Sequence, residues 1–516
     1  MGYKEIRCHM IFDIKMDFTR KARYVAGGHL ADAPSSQTYA SVVSRDSVRI
    51  ALMIAALNEL DVFSADIQNA YLNAKSREKL WCRAGKEFGP NEGCVVVIVR
   101  ALYGMKSSGA AWRAHLAQTM KDLGFDPSKA DPDVWMRPAT KPDGFQYYEY
   151  VLIHTDDLLV VSHRADVIMK SFTDFYTLKE DPATQLPYGP PTRYLGADVG
   201  QFEVNGIKAW YLSGDSYCKE AVKTVELKLA ESGQLLAKGV TSPVSTGYRP
   251  ELDISPVLDD EQANYYQNLI GVLRWSVELG RIDIHVEVAL MSRYLAQPRK
   301  GHLEETLRIF AFLKHHPRSK VVLDPTDVDF GVDRFQTVDW SDFYDNPKEE
   351  IPPGMPEPRG NPVTITAFED ANHAGDKVTR RSHTGILIYL NCAPIIWYSK
   401  AQNTVESSTF GSEFVALRTC AELLKSMRYK VRMMGIPLDG PANVFCDNEA
   451  VVKNTSIPES TIKKKHLSIC YHVVREAAAA NILRVAHEPS VTNLADVLTK
   501  IMGGTKKREL IQRILY

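Results

Sequence analysis

Two adjacent acids between two apolar runs constrain the fold of this chain more than any other sequence feature. The runs are residues 148–153 and 158–161, and Asp156 and Asp157 lie between them. The pattern predicts a hairpin of two buried strands with the acids at its tip. An ordinary hairpin turn is one interpretation. Metal binding by the two acids is the second interpretation, because unpaired charge beside buried strands is costly.

A third acid has similar flanks. Asp66 ends a strand-like run at residues 62–66, which follows a helix-like run at residues 47–60. With Asp156 and Asp157 it supplies three carboxylates, a set that can hold two divalent cations for phosphoryl transfer. Hard oxygen ligands favour Mg²⁺, with Mn²⁺ as the alternative.

The organisation of the chain indicates several domains. With 516 residues it has room for two to four. Residues 324–360 contain six prolines and ten acidic residues against three basic ones, which predicts a semi-extended linker. Residues 361–516 then predict three strands, a helix, a strand, two helices, a strand and a final helix near 493–510, a mixed α/β order. Upstream, residues 101–118 predict a helix, and Ser407 or Ser408 is expected to cap a long helix over 413–434.

Four further acids follow the predicted linker at the ends of predicted elements: Asp370, Glu413, Asp447 and Asp496. Each has an ordinary interpretation. Acids are favoured near helix N-termini by the helix dipole, and an acid after a strand is often a turn residue. The residues around these four acids help to decide between such a structural role and a functional one.

Six segments resemble, in order, motifs of the reverse transcriptase of copia-type LTR retrotransposons. In chain order they are similar to KARLVA, DVKNAFLNG, LYGLKQSPRAW, YVDD, FLG and a region ending TRPDI. The corresponding residues are, in the same order, 21–26, 66–73, 102–112, 154–157, 194–196 and 266–284. Four later segments resemble the ribonuclease H motifs YxDADWAGD, SSTEAEYxAL, CDN and ADILTK of the same family, at residues 368–376, 407–417, 446–448 and 495–500. Together they indicate the polymerase end of a Pol polyprotein.

The resemblance implies an α+β and α/β multidomain chain. Residues 1–210 would form a right-hand polymerase palm with incomplete fingers, and residues 211–323 a thumb or connection. Residues 324–360 would be the linker, and residues 361–516 a ribonuclease H-like domain with a mixed sheet. Only twenty residues precede Lys21, whereas the family's fingers begin further upstream. The fingers are therefore expected to be incomplete, or to continue on a preceding piece of the polyprotein.

The resemblance also implies roles for individual residues. Seven acids would be catalytic metal ligands in two sites with two ions each: Asp66, Asp156, Asp157, Asp370, Glu413, Asp447 and Asp496. Lys21 and Arg23 would bind the phosphates of the incoming nucleotide. Tyr103 would face its sugar, and Gly104 would let the backbone approach it closely. An exposed basic pair and core packing are the ordinary alternatives for the two cations and for Tyr103.

The sequence departs from the family motifs at several positions. His154 replaces the tyrosine of the YVDD box, which removes a phenol and adds a titratable group. Asn372, His373 and Gly411 replace motif residues that are not metal ligands in the family. The seven acids are intact, which argues against random decay of the coding sequence.

Charge and composition add weaker expectations. The net charge of −1 neither indicates nor excludes a nucleic-acid partner, but residues 451–516 contain eleven basic against five acidic residues. Candidate contacts to a duplex backbone are Arg380, Arg381, Lys463, Lys464, Lys465 and His466. A solvated basic face explains them equally well. The sequence contains no signal peptide, membrane-spanning run or paired CxxC, so we expect an intracellular protein, in the cytoplasm within virus-like particles or in the nucleus.

The resemblance and its seven acids imply an RNA-directed DNA polymerase that also cleaves the RNA of RNA–DNA hybrids. Its partners would be an RNA template, a DNA primer, dNTPs, the hybrid and the rest of the polyprotein. Two alternatives remain open: a non-catalytic remnant that binds nucleic acid, and a chain in which only the ribonuclease H is active.

Overall fold

The computed structural model describes residues 2–14, 20–30, 38–181, 184–328, 334–336, 338–345 and 347–516. The chain divides into two compact units. The first unit comprises Met1–Ala51 and Glu59–Pro191, and the second comprises Leu52–Asn58 and Thr192–Tyr516. The division after Pro191 precedes the expected end of the polymerase region at residue 210. Residues 324–360 belong to the second unit.

The first unit is built around a five-stranded antiparallel sheet. Its strands are β1 Lys4–Glu5, β2 Cys8–Ile14, β3 Arg20–Ala26, β4 Asp61–Asp66, β5 Lys75–Arg83, β6 Val95–Arg100, β7 Asp126–Pro127, β8 Val134–Thr140, β9 Gln146–His154 and β10 Asp157–Ser162. Its helices are α1 Arg45–Leu57 (residues 52–57 group with the second unit), α2 Ala70–Asn73, α3 Ser108–Asp122 and α4 Ala165–Thr173. The main sheet has the order β4-β10-β9-β8-β7, beside a β1-β5-β6 sheet and a β2-β3 hairpin.

Strands β9 and β10 form the predicted hairpin. Both are almost completely buried, because α3 and α4 pack against the sheet with Trp112, Leu116 and Phe172 in one hydrophobic core. Such burial explains why the strands are continuous apolar runs and do not alternate. The predicted helix at 101–118 begins later, at Ser108, because the chain turns at Gly104, whose φ is 86°.

The second unit contains two sheets and most of the helices. Its strands are β11 Arg193–Tyr194, β12 Ala197–Val204, β13 Ile207–Ser213, β14 Lys320–Leu323, β15 Ile365–Asn372, β16 His383–Leu390, β17 Ala393–Ala401, β18 Ala442–Cys446 and β19 Leu483–His487. Its helices are α5 Asp215–Glu231, α6 Asp260–Glu278, α7 His285–Met291, α8 Lys300–His315, α9 Thr409–Met433, α10 Glu449–Ser456, α11 Ser468–Ala479 and α12 Gly504–Ile511. One sheet has the order β11-β12-β13-β14.

The other sheet of this unit is mixed, as the sequence predicts. Its order is β17-β16-β15-β18-β19, with antiparallel pairing among the first three strands and parallel pairing of β15 with β18 and of β18 with β19. Helix α9 packs across it, and the Ser408 side chain caps that helix by accepting a hydrogen bond from the Gly411 amide. The single helix expected at 493–510 is wrong. A 3-10 helix at Leu494–Leu498 and α12 replace it, and the extended backbone of Gly503 precedes α12.

The acidic, proline-rich segment packs against the rest of the second unit. The described residues of 324–360 contain no α-helix or strand, only short turns and a 3-10 position at Arg334. Glu349 nevertheless pairs with Arg428 at 2.6 Å and with Arg432 at 2.5 Å, and Arg334 pairs with Glu488 at 2.5 Å. Across the described residues, no helix has the length and apolarity that a membrane crossing requires.

Two candidate carboxylate sites

Strand pairing brings the three acids of the first unit together. Asp66, the last residue of β4, lies opposite Asp157, the first residue of β10. Residues 155 and 156 form the tight turn between β9 and β10, so Asp156 is next to this pair. The turn is tied to the neighbouring strand, since the Asp156 carbonyl accepts a hydrogen bond from the Ile67 amide at 2.8 Å.

Burial and mutual repulsion make these acids hard to ionise together. Burial, reinforced by Asp156 and Asp66, raises the pKa of Asp157 to about 7. Burial and the nearby Asp66 also raise the pKa of Asp156. Neighbouring carboxylates that destabilise each other's charged forms are stabilised by a cation.

Cations lie close to this acid set. Lys179, which the sequence analysis missed, donates to Asp66 twice: its backbone amide is 2.9 Å from the carbonyl, and its ammonium is 3.3 Å from Oδ2. Lys21 favours the charged form of Asp156, and Arg23 favours the ionised form of Tyr103. Of the two predicted phosphate-binding cations of β3, Lys21 is therefore close to Asp156 and Arg23 is close to Tyr103. No sequence motif identifies Lys179, because its position depends on an isolated β-bridge between residues 67 and 178.

Tyr103 also lies beside the acids, and Gly104 follows it in the chain. The Tyr103 ring packs 4.9 Å from the ring of Tyr71, and burial together with Asp156 raises its pKa. A Cβ atom on Gly104 would lie 2.1 Å from the Ala26 carbonyl oxygen. A side chain at position 104 would therefore clash with the backbone of β3, which explains the need for glycine there. The motif alone does not reveal this contact.

His154 occupies the last position of β9, opposite Asp157. Burial lowers its pKa, so the neutral imidazole is favoured. The substitution of the family's tyrosine therefore adds no fixed positive charge beside the acids.

A tighter acid cluster lies in the second unit. Asp370 is on β15, and Asp447 directly follows β18. These strands are parallel and pair Glu369 with Cys446. The two acids, each one residue further along, therefore lie side by side at the same end of the two strands. Glu413 comes from the first turns of α9. Among the described residues, this trio alone has one ligand oxygen per side chain within 4.8 Å of the other two.

The cluster is strongly desolvated. Asp370 and Glu413 are each only 3% exposed, and Oε2 of Glu413 lacks a hydrogen-bond partner. Burial and Asp496 raise the pKa of Asp370 to about 7, and burial together with Glu369 and Asp370 raises that of Glu413. Buried oxygens in one small volume, with one of them unsatisfied, fit a hard divalent cation.

Asp496, the expected fourth ligand, stands beside this trio. Its buried carboxylate pairs with Lys500 at 2.6 Å and with Lys506 at 3.1 Å. Gly385 lies opposite Asp370 on β16, and a Cβ there would be 2.6 Å from Thr499 Cγ2 and 2.8 Å from the Ala495 carbonyl. This glycine lets the segment carrying Asp496 approach the sheet, a function that the sequence analysis missed.

Glu369 is a further acid that the motifs did not identify. It is completely buried, and neither carboxylate oxygen has a hydrogen-bond partner. Burial, reinforced by Asp370 and Asp447, raises its pKa well above the ordinary value. Its position inside a strand, beside Asp370, gave no sequence signal of this environment.

The predicted basic contacts lie in two places. Arg380 and Arg381 are exposed in the loop between β15 and β16. Lys464 donates to the Ser408 hydroxyl, and His466 lies 3.3 Å from Glu406, so the 463–466 run packs at the N-terminus of α9. Lys463 and Lys465 are exposed there.

Comparison with known proteins shows what the chain resembles. Residues 2–235 match the model of the family of reverse transcriptases (RNA-dependent DNA polymerases). Over nearly its whole length the chain is similar to the Pol polyproteins of copia-type retrotransposons. It is 24% identical over 503 residues to the Pol polyprotein from transposon RE1 of Arabidopsis thaliana, covering 96% of this chain and 30% of that protein.

A second relative matches over the same extent. The Pol polyprotein from transposon TNT 1-94 of Nicotiana tabacum is 24% identical, over 98% of this chain and 35% of that protein. The chain thus spans about a third of these relatives. The solved structure of LC11-RNase H1 in complex with RNA/DNA hybrid is 17% identical, covers 26% of this chain and 94% of that chain, and has a TM-score of 0.22.

Proposed function

We propose that the chain is a bifunctional enzyme, an RNA-directed DNA polymerase with ribonuclease H activity on RNA–DNA hybrids. The observation that carries this proposal is the presence of two separate sets of clustered carboxylates, each in a segment with motifs of the copia-type family. Residues 1–210 would provide the palm and partial fingers, residues 211–323 the thumb or connection, and residues 361–516 the ribonuclease H domain.

The first acid set suits nucleotide addition. Asp66, Asp156 and Asp157 would hold two Mg²⁺ ions, with Mn²⁺ as a substitute. When bound, divalent ions stabilise the entering and leaving oxygens of an in-line phosphoryl transfer. Lys21 and Arg23 would bind the triphosphate of the dNTP opposite an RNA or DNA template.

The second acid set suits hydrolysis of a hybrid. Asp370, Glu413 and Asp447 would hold the ions. Asp496 would join them if Lys500 and Lys506 release its carboxylate. Arg380, Arg381 and the 463–466 run would contact phosphates of the duplex, a sequence-independent interaction that weakens with salt. The remaining polyprotein would supply the other steps of an intracellular retrotransposon cycle.

Primer extension tests the polymerase. On a homopolymer RNA template, Asp156→Asn should abolish incorporation. The matched control Asp174→Asn changes an exposed acid at the end of α4 and should retain wild-type activity. Equal incorporation by wild type and Asp156→Asn contradicts the proposal.

Cleavage of a labelled RNA–DNA hybrid tests the ribonuclease H. Asp447→Asn should abolish cleavage, whereas Glu459→Gln, at an exposed acid after α10, should not. Cleavage that persists in Asp447→Asn excludes this site.

The compactness of the second site favours one alternative, a chain in which only the ribonuclease H is active. Its acids already lie within 4.8 Å of one another. Hybrid cleavage that depends on Asp447, together with no primer extension by the wild type, would establish this alternative.

A further inference from the structure

The turn that carries Asp156 contains a strained residue. Thr155 has a φ of 61°, in the left-handed region. A β-branched residue rarely adopts this conformation, and it persists only where the surrounding structure fixes it. The source of that constraint therefore bears on how the neighbouring acids are placed.

Trp112 provides a direct constraint on this turn. Its indole Nε1–H donates a hydrogen bond to the Thr155 carbonyl at 2.7 Å. The next carbonyl, that of Asp156, accepts from the Ile67 amide at 2.8 Å. Two consecutive peptide groups of the turn are thus held, one by helix α3 and one by the residue that follows Asp66.

Trp112 is itself held firmly. Its side chain is 2% exposed and lies edge-on to Tyr176, with ring centroids 5.4 Å apart. The Tyr176 hydroxyl is in turn 2.6 Å from the hydroxyl of Thr119 on the same helix as Trp112. A buried indole packed in this way has little freedom, so its N–H direction is fixed.

Helix α3 also begins at the segment that faces the nucleotide in the proposed function. The Ser108 hydroxyl donates to the Leu102 carbonyl at 2.7 Å, and the Tyr103 carbonyl accepts from the Ala26 amide at 2.8 Å. One rigid helix therefore links the Tyr103–Gly104 segment to the turn with the acids.

We propose that Trp112 is a positioning residue, whose indole N–H fixes the Thr155 peptide and thereby places Asp156 and Asp157 for metal binding. This inference rests on the proposed polymerase function. A phenyl ring at position 112 fills most of the same space but leaves the partly buried Thr155 carbonyl without its donor. The strained turn can then relax, and the carboxylates move with it.

Trp112→Phe and the control Trp135→Phe test the proposal in the full chain. Trp135 is buried in the same core, and within the described part of the chain its indole makes no hydrogen bond. In primer extension, Trp112→Phe should raise the half-saturating Mg²⁺ concentration about tenfold, the equivalent of one buried hydrogen bond. Its KM for dNTP at saturating Mg²⁺ should change little. Trp135→Phe should leave the Mg²⁺ dependence unchanged, and equal dependence in the two variants overturns the proposal.

Relief of the strain provides a second test. Glycine adopts a positive φ without cost, so it removes the need for an external constraint at position 155. Trp112→Phe/Thr155→Gly should therefore recover most of the Mg²⁺ affinity that Trp112→Phe loses, even if the single variant is unstable. A double variant as defective as Trp112→Phe contradicts the proposal.

Direct Mn²⁺ binding separates this inference from the polymerase proposal. Binding is followed by electron paramagnetic resonance in full-length chain carrying Glu413→Gln and Asp447→Asn, which removes two ligands of the other site. Weaker binding with Trp112→Phe than with Trp135→Phe supports the positioning role, even if no preparation extends a primer. Equal binding in the two variants overturns the role, even if the polymerase is active.

Discussion

The two acid sets are assembled in different ways. In the first unit, antiparallel pairing of β4 with β10 and one tight turn bring Asp66, Asp156 and Asp157 together. In the second unit, a parallel strand pair and a helix bring the buried Asp370 and Glu413 and the half-buried Asp447 within 4.8 Å of one another. The first set therefore depends on the conformation of a turn, whereas the second is fixed by the packing of whole elements.

Buried charge also differs between the units. In the second unit, Glu287 is fully buried and pairs with Lys507. In the first unit, Glu149 is fully buried but pairs with two cations, Arg137 at 2.7 Å and Arg164 at 3.1 Å. Glu287 thus has a single cationic partner, whereas Glu149 still has one cationic partner when the other is removed.

The largest effect on stability is expected when the single partner is removed. Lys507→Met leaves Glu287 as an unpaired buried charge, and we expect it to lower the free energy of unfolding by about 3–5 kcal/mol. Arg164→Met should cost clearly less, since Arg137 still pairs with Glu149. Urea denaturation of both variants measures the difference. Equal losses would mean that the second cation does not protect Glu149.

The dependence of stability on pH should be the next largest effect. The folded-state pKa of Asp370, about 7, is raised above its ordinary value. The protonated Asp370 carboxyl therefore contributes its full stabilisation of the fold below about pH 4, and this stabilisation is lost as the pH rises through 7. In EDTA, the stability of wild type relative to Asp370→Asn should fall between pH 4 and 7, and Mg²⁺ should reduce that fall.

Asp157 allows the same comparison in the first unit. Its pKa is also raised to about 7, and the direction of the pH dependence is the same. Thermal unfolding of wild type and Asp157→Asn in EDTA over pH 4–8 measures it. A stability difference that grows with pH in favour of wild type would contradict the elevated pKa of either acid.

Two glycines give an intermediate prediction. Gly104→Ala places a Cβ 2.1 Å from Ala26 O at a φ of 86°, and Gly385→Ala places one 2.6 Å from Thr499 Cγ2. Each should cost roughly 1–3 kcal/mol, as overpacking does. Gly104→Ala should reduce primer extension only, and Gly385→Ala hybrid cleavage only. The controls Gly189→Ala and Gly271→Ala meet nothing within 4 Å and should leave both activities intact.

The smallest effect is expected for the exposed ion pair of the first site. Lys179 and Asp66 are 3.3 Å apart and largely solvated, with side chains 53% and 38% exposed. Lys179→Met should therefore change stability by less than about 1 kcal/mol. Denaturation measures this effect. A loss comparable to that of Lys507→Met would show that Lys179 is a structural support of the first acid set.

Local sequence patterns predicted the elements well where one residue type decides the structure. The apolar runs around Asp156 and Asp157 gave the hairpin, and the serine before the long helical run gave the cap of α9. The helix at 493–510 failed, because Asn493 caps a short 3-10 helix and the Gly503–Gly504 pair interrupts the helical pattern.

The neighbours of the acids could not be predicted in the same way. Lys179, Glu369 and Gly385 act through partners far away in the chain, so no spacing identifies them. Likewise, the composition of residues 324–360 indicated a linker, but the pairing of Glu349 with Arg428 and Arg432 depends on the tertiary fold.

A reciprocal assay tests the central claim, that one chain carries two independent catalytic acid sets. Primer extension and hybrid cleavage are measured on the same preparations of wild type, Asp157→Asn and Glu413→Gln. Asp157→Asn should lose extension by about 10³-fold or more and keep cleavage, and Glu413→Gln should show the reverse, as expected for loss of a metal ligand. Loss of both activities in either variant, or of neither, would contradict the account.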